Sequence, residues 1–216
     1  MDDKKFAFIM CVNDEDKANE ALYYISRLIV PKGYSVEDFE VVEAKSMTSG
    51  YNEGMAASDA KYKIYLHQDV MILNQNFLLD ILDIFKDPKI GMIGCMGSPK
   101  MPENKMLWKA RAVGAAYHSN NYETNKSFFD DEKNKKYIEV EALDGFLLAT
   151  QVDIYWREDL FKNWDFYDIS QSYEFRNKGY KIVIPHQENP WCLHDEGFLN
   201  YKHYYEDRKL FRKYYG

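Results

Sequence analysis

KIYLHQDVMI, residues 63–72, is the stretch on which the fold turns. An apolar run with the composition of a strand stops at His67, Gln68 and Asp69, then turns apolar again. An imidazole, an amide and a carboxylate side by side are out of place in a continuing core. They suit a strand whose carboxyl end opens onto a ligand. The same rhythm extends in both directions. Upstream, FAFIMCV (6–12) reads as a first strand, the polar cluster NDED follows, and ANEALYYISRLIV (18–30) has helical spacing. FEVVEA (39–44) is a second strand, SMTSGYNEGMAASDA (46–60) a loop leading into a helix of small residues, and KYKIYL (61–66) a third strand. Downstream, NQNFLLDILDIFK (74–86) puts Phe77, Leu78, Ile81, Leu82 and Phe85 on one helical face, and IGMIGCMG (90–97) is a fourth strand. This alternation predicts an α/β fold, a parallel sheet covered by helices on both faces.

The rhythm breaks after residue 97. From Ser98 to Lys136 come Pro99, Pro102, the tract HSNNYETNKS (118–127) and the charged run DDEKNKK (130–136), with only LWKARAVGAAY (107–117) reading as ordered. A long excursion with a mobile loop is expected there. YIEVEALDGFLLATQVDIY (137–155) then gives two strand-like runs around Asp144 and Gly145. SYEFRNKG (172–179) reads as a short helix closed by Gly179, and YKIVIP (180–185) as a last strand. The tail FLNYKHYYEDRKLFRKYYG (198–216) is amphipathic, with Lys202, Arg208, Lys209, Arg212 and Lys213 set among aromatics.

The totals narrow the classes. A length of 216 residues predicts one domain, 1–216. A net charge of −7 argues against nucleic acid as a partner, because that interaction depends on neutralising phosphates. Cys11, Cys95 and Cys192 lie far apart with no CxxC pair, which suits reduced thiols in a cytoplasmic protein. The apolar stretch in MDDKKFAFIMCV is too short for a signal peptide, and no apolar run reaches about 18 residues. The basic, aromatic tail is compatible with peripheral contact at the inner face of a membrane. Such a helix more often packs its aromatics onto the parent domain. The oligomeric state is not specified.

In order of appearance, the α/β half, the polar HQD motif after its last core strand, the Asp144-Gly145 strand pair, the Tyr167-Asp168 segment before a helix and the late His194 resemble the family 2-like glycosyltransferases of the GT-A fold. The chain is closest to the small bacterial group described as glycosyltransferase-like, and the resemblance covers nearly its whole length. It implies a mixed, mainly parallel sheet, with 1–97 as the nucleotide-sugar-binding half, 98–197 as the acceptor and catalytic half, and 198–216 as a C-terminal amphipathic helix. In that family a DxD motif binds a divalent cation that bridges the donor diphosphate. The aligned triplet here is His67-Gln68-Asp69, so Asp69 is the expected ligand for Mn²⁺ or Mg²⁺. One well-placed carboxylate is enough, since phosphate oxygens and water complete the shell. His67 stands in place of the first carboxylate, which shifts preference toward Mn²⁺. The plain alternative is that HQD caps the strand.

The resemblance also assigns His194, in NPWCLHDEG (189–197), to the metal, with Asp195 beside it either orienting it or facing solvent. Asp168, in NWDFYDISQSYEFRNKGY (163–180), is the expected general base, with Asp165 second and a helix cap as the alternative. Ile169 and Ser170 occupy positions where acids are expected. On the acceptor side, Asp144 would accept hydrogen bonds from sugar hydroxyls, Gly145 would allow close approach, Trp156 would stack on a sugar and Arg157 would reach a phosphate. Trp164 and Trp191 are vaguer candidates of the same kind. On the donor side, Val12, Asn13, Asp14 and Glu43 match positions that hold base and ribose, with His67 and Gln68 beside them. Asn52, in GYNEG (50–54), falls where relatives read RNxG and is a structural or donor contact, with Tyr51 replacing the Arg. The expected activity is metal-dependent, inverting transfer from a nucleotide-diphosphate sugar to a glycan or lipid-linked acceptor, in polysaccharide biosynthesis. The alternatives are a non-catalytic nucleotide-sugar or glycan-binding protein, and an interaction module docking through the tail.

Overall fold

In the computed structural model, which describes residues 1–120, 123–129, 135–197 and 200–216, the chain opens with β1 (Asp2–Val12), α1 (Glu15–Ser26), β2 (Ser35–Val42), α2 (Met47–Ala57) and β3 (Ala60–Leu66). After it come β4 (Val70–Ile72), α3 (Phe77–Ile84), β5 (Ile90–Gly94) and β6 (Met96–Ser98). A single 3₁₀ turn (Leu107–Lys109) precedes β7 (Val113–Asn120), β8 (Glu123–Phe129), β9 (Tyr137–Glu139), β10 (Ala142–Leu143) and β11 (Leu147–Thr150). The last elements are α4 (Tyr167–Asn177), β12 (Lys181–Pro185), β13 (Cys192–His194) and α5 (Tyr204–Tyr215).

The main sheet runs β2-β1-β3-β11-β5-β12-β9. β2, β1 and β3 are mutually parallel, as are β5 and β12, while β11 and β9 run antiparallel to their neighbours. Alternation along β1 explains the two cores. Phe6, Phe8, Met10 and Val12 point into one cluster with α1 and α3, whereas Ile9 and Cys11 point into another with α2 and α4. Both faces of the sheet are therefore helix-covered, so its central strands read as unbroken apolar runs.

A second, smaller sheet, β10-β6-β7-β13-β4, with β8 paired to β7, sits beside the carboxyl ends of β3 and β5. It overturns two expectations. IGMIGCMG is two strands, because the chain leaves the main sheet after Gly94 and enters the second at Met96. The expected loop 98–136 contains a hairpin, β7 to β8, in register from Gly114↔Phe129 to Asn120↔Glu123. β8 is almost wholly exposed, and polar up to its closing Phe128-Phe129, so it carries no alternating apolar signal, and ladder bonding to β7 holds it. Residues 130–134 of the charged run, and Phe198 and Leu199 of the tail, lie outside the described residues.

The tail forms α5, and its apolar face lies on the parent fold. Tyr204 and Phe211 are buried with Phe161, Phe166, Ile169 and Tyr173. Among the described residues no helix is long and apolar enough to cross a membrane.

Candidate functional site

The site assembles where β3 ends. A tight turn follows Leu66: the Val70 amide donates to the His67 carbonyl at 3.2 Å, and the His67 amide donates to the Phe146 carbonyl at 3.1 Å. β4 then pairs antiparallel with β13, with Val70 opposite His194, so ladder register delivers the late histidine to the HQD turn. The Asp195 amide closes the junction by donating to the Asp69 carbonyl at 2.9 Å.

Three side chains converge there. His67 Nδ1 is 3.3 Å from His194 Nε2, and His194 Nε2 is 3.4 Å from Asp69 Oδ1. Asp69 Oδ1 is buried and accepts no hydrogen bond, an unsatisfied carboxylate oxygen aimed at two imidazoles. Lys17 Nζ stands 3.8 Å from the other carboxylate oxygen. Burial and the neighbouring His194 pull His67 down to about 4, which leaves its ring neutral at ordinary pH. Burial also opposes ionisation of Asp69, but His194, His67 and Lys17 outweigh it and hold the carboxyl below its usual range. Burial lowers His194 too, while Asp69, Asp144 and Glu196 raise it on balance. Two neutral-capable imidazoles and one anionic carboxylate, all within 4.8 Å, fit a divalent cation.

Two cavities meet at this triad. A cavity of about 180 Å³ is lined by Val12, Asn13, Glu43, His67, Gln68, Asp69 and Trp164, among others. A larger one, about 660 Å³, has His67, Trp164, Asp144, Asp168 and His194 in its wall. His67 and exposed Trp164 line both. Glu43 adopts φ 57°, a left-handed conformation uncommon outside glycine, at the rim of the smaller cavity.

Asp168 lies in the first turn of α4, behind Phe166, whose φ of 58° turns the chain into the helix. No side-chain bond caps this helix; Asp168 Oδ1 accepts only the adjacent Ile169 amide, at 2.7 Å. Burial and then the Asp144 carboxylate push Asp168 up to about 7. Asp144 itself is raised, chiefly by burial. Gly145 separates these acids from a clash. A Cβ there would lie 2.2 Å from Tyr167 Oη and 2.7 Å from Asp168 Cβ, so only glycine lets the α4 entrance approach this strand. Asp165 also faces the larger cavity and is raised to about 6 by burial and Asp207.

The remaining candidates have other work. The Gln68 amide acts as a clasp: its oxygen accepts the Asn13 and Asp14 amides, both at 2.9 Å, and its nitrogen donates to Asn13 Oδ1 at 2.6 Å. Asp14 caps α1 by accepting the Lys17 amide at 3.2 Å. Asn52 is buried, with both side-chain polar atoms on the Trp156 backbone at 2.9 and 3.0 Å. Trp156 is corrected from sugar platform to core: it is 2 % exposed, enclosed by Tyr51, Tyr65 and Tyr167. Arg157 is corrected too, because its guanidinium is occupied by Asp159, Glu174 and Tyr215, off both cavities. Trp191 is buried edge-on against Phe77.

Three site residues went unread in the sequence. Tyr167 Oη bonds His67 Nε2. His118 and Glu196 stand near His194 on its other side. His118 fell in a tract read as loop. Glu196 follows His194 by two positions, just beyond the end of β13.

A family model described as "Glycosyltransferase like family" matches residues 7–215. No curated protein matches the chain. Among solved structures, it is similar to the mannosyltransferase PcManGT from Pyrobaculum calidifontis, in complex with GDP-Man and Mn²⁺, at 12% identity and TM-score 0.56, over 88% of this chain and 56% of that one. Similarity to residues 1–349 of TarS from S. aureus, in complex with UDP, is 13% with TM-score 0.58, over 95% of this chain and 64% of that one. Drosophila β-1,4-galactosyltransferase 7, in complex with manganese, UDP-Gal and xylobiose, gives 14% and 0.55, over 92% of this chain and 72% of that one. The chain thus spans less than two thirds of the first two proteins.

Proposed function

The chain belongs to the glycosyltransferase-like family and has the GT-A fold, and from that premise we propose that it is a metal-dependent, inverting glycosyltransferase acting on a nucleotide-diphosphate sugar and a glycan or lipid-linked acceptor. The observation that carries this reading is the His67/Asp69/His194 triad at the junction of two cavities, one sized for part of a donor and one larger, with Asp168 in the wall of the larger.

Asp69, His67 and His194 would hold the cation, and two imidazole nitrogens favour Mn²⁺ over Mg²⁺, which prefers oxygen. When bound, it supplies Lewis-acid stabilisation of the leaving diphosphate. The residues of the larger cavity do the rest. Asp168, with its proton affinity raised to about 7, is matched to taking a proton from an acceptor hydroxyl near neutral pH. Asp144 faces the same cavity and would accept hydrogen bonds from sugar hydroxyls, orienting a ring whose transition state has oxocarbenium character. Trp164, exposed between the cavities, offers a stacking face.

Thermal unfolding against UDP-, GDP-, CMP- and dTDP-linked sugars, each with Mn²⁺, Mg²⁺ or EDTA, tests the donor site. One nucleotide should raise the midpoint only with metal, and the rise should vanish in Asp69→Ala. No shift with any donor, or a shift indifferent to EDTA, would overturn the assignment. Metal-dependent binding without transfer to any acceptor would favour the non-catalytic alternative.

A further inference from the structure

His194 has a second face. β13 runs parallel to β7 with His194 directly opposite His118, so both imidazoles rise from the same side of the second sheet. Their ring centroids are 6.0 Å apart. Glu196 reaches between them, with Oε1 3.9 Å from His118 Nδ1 and Oε2 3.9 Å from His194 Nδ1. Those gaps are too long for hydrogen bonds, and both Nδ1 atoms are buried without a partner. His194 is only 7 % exposed, so its unpartnered nitrogen is aimed into this gap rather than into solvent. A tetrahedral ion with bonds of about 2.0–2.1 Å to nitrogen and oxygen sets its donors about 3.4 Å apart. The three donors lie within 4.8 Å of one another, so movement of the flexible Glu196 side chain together with rotation of the two rings would bring them to that spacing.

We propose that His118, His194 and Glu196 form a second divalent-cation site, selective for a transition metal such as Zn²⁺. Two imidazoles and one carboxylate disfavour Mg²⁺ and Ca²⁺, which take oxygen ligands. The site opens on the larger cavity, whose wall includes all three residues and Asp144. It shares one ring with the Asp69 triad: His194 Nε2 faces Asp69 and His67, while Nδ1 faces Glu196. A neutral imidazole has a single lone pair for coordination. A cation on Nδ1 leaves the ring proton on Nε2 and withdraws His194 from the first triad. The two cations therefore compete rather than add.

The inference stands apart from the transferase reading, and calorimetric titration of ZnCl₂ into the metal-free chain tests it. Asp69→Asn removes the first triad's carboxylate, leaves all three ligands of the second site in place and should still bind one Zn²⁺. Adding Glu196→Gln or His118→Ala to that background should weaken binding at least tenfold. Co²⁺ bound to Asp69→Asn should show the visible absorption of a low-coordinate nitrogen-ligated site, lost with Glu196→Gln. Absence of Zn²⁺ binding in Asp69→Asn, or binding that survives both second substitutions with unchanged affinity, overturns the proposal. In the wild-type chain, Zn²⁺ should displace Mn²⁺-dependent nucleotide binding; wild-type chain that binds no nucleotide, with Zn²⁺ binding to Asp69→Asn intact, would sink the transferase reading and leave this site standing.

Discussion

Replacing Asp168 with Asn should make the protein more stable and inactive together, and the stability gain should depend on pH. Burial, then Asp144, raises this carboxyl from the ordinary 3.8 to about 7. Each tenfold in proton affinity is worth about 1.4 kcal/mol, so the ionised form costs the folded state up to about 4 kcal/mol. The sign follows from proton counting. Between about pH 4 and pH 7 the folded carboxyl keeps a proton that the unfolded chain has released, so stability falls as pH rises through that window and levels off above it. The folded-state cost is roughly 2 kcal/mol at pH 5 and roughly 4 kcal/mol at pH 8. Asn is neutral throughout, so the advantage of Asp168→Asn should widen by about 2 kcal/mol between those values. Urea unfolding at both pH values, in EDTA and without nucleotide, reads it directly. Transfer should fall about 10²–10⁴-fold, the range for loss of a general base. A variant that is less stable than its parent at pH 8 by the ~1 kcal/mol of a lost cap would refute the reasoning. So would an advantage that does not change with pH.

The other expectations are each set by one contact. Gly145→Ala drives a Cβ to 2.2 Å from Tyr167 Oη, so kcat should drop at least about tenfold through displacement of the Asp168 turn, while nucleotide affinity measured by titration stays within about twofold. Asn52→Ala leaves the Trp156 backbone N–H and C=O without their side-chain partners and should cost about 1–3 kcal/mol in urea, with donor affinity unchanged. Phe211→Ala empties the centre of the α5 packing and should cost about 3–5 kcal/mol, read as a lower urea midpoint.

What the sequence could convey was set by which residues carry a local signal. β1, β3 and β5 are buried on both faces, so their apolar runs announce a helix-covered sheet without any knowledge of partners. His67 and Asp69 were legible because polar groups interrupt such a run. Convergence was not: His194 meets Asp69 only through the β4–β13 register, a pairing between segments more than 100 residues apart with no local signature. β8 was invisible because its exposed residues, Glu123 to Phe129, gain their order from ladder bonds to β7 rather than from burial. Trp156 and Arg157 misled for the opposite reason. Residue type suggested stacking and phosphate binding, but a ring buried against three tyrosines and a guanidinium saturated by two carboxylates and a phenol are packing devices.

A histidine at position 67, where the resemblance to family 2-like glycosyltransferases implies a carboxylate, would change more than the donor set. A carboxylate in that position presents oxygens to the cation and ends there. An imidazole has a second nitrogen, and here it is bonded to Tyr167, the residue immediately before Asp168 in α4. Tyr167 in turn presses on Gly145, next to Asp144. Asp69, His194, His67, Tyr167 and Asp168 thus form one connected chain from the smaller cavity into the larger. Were Nδ1 given to a metal, His67 would keep its proton on Nε2 and donate it to the tyrosine oxygen, which would fix both the ring and the start of α4. Metal occupancy and the position of Asp168 would then be linked through ordinary hydrogen-bond geometry. His67→Asp would supply the carboxylate that the resemblance implies at this position and cut that link at a single residue. It should shift cation preference toward Mg²⁺ in equilibrium titration, while loosening Tyr167 enough to lower kcat. Unaltered kcat with the shifted preference would mean that the tyrosine bond serves packing alone.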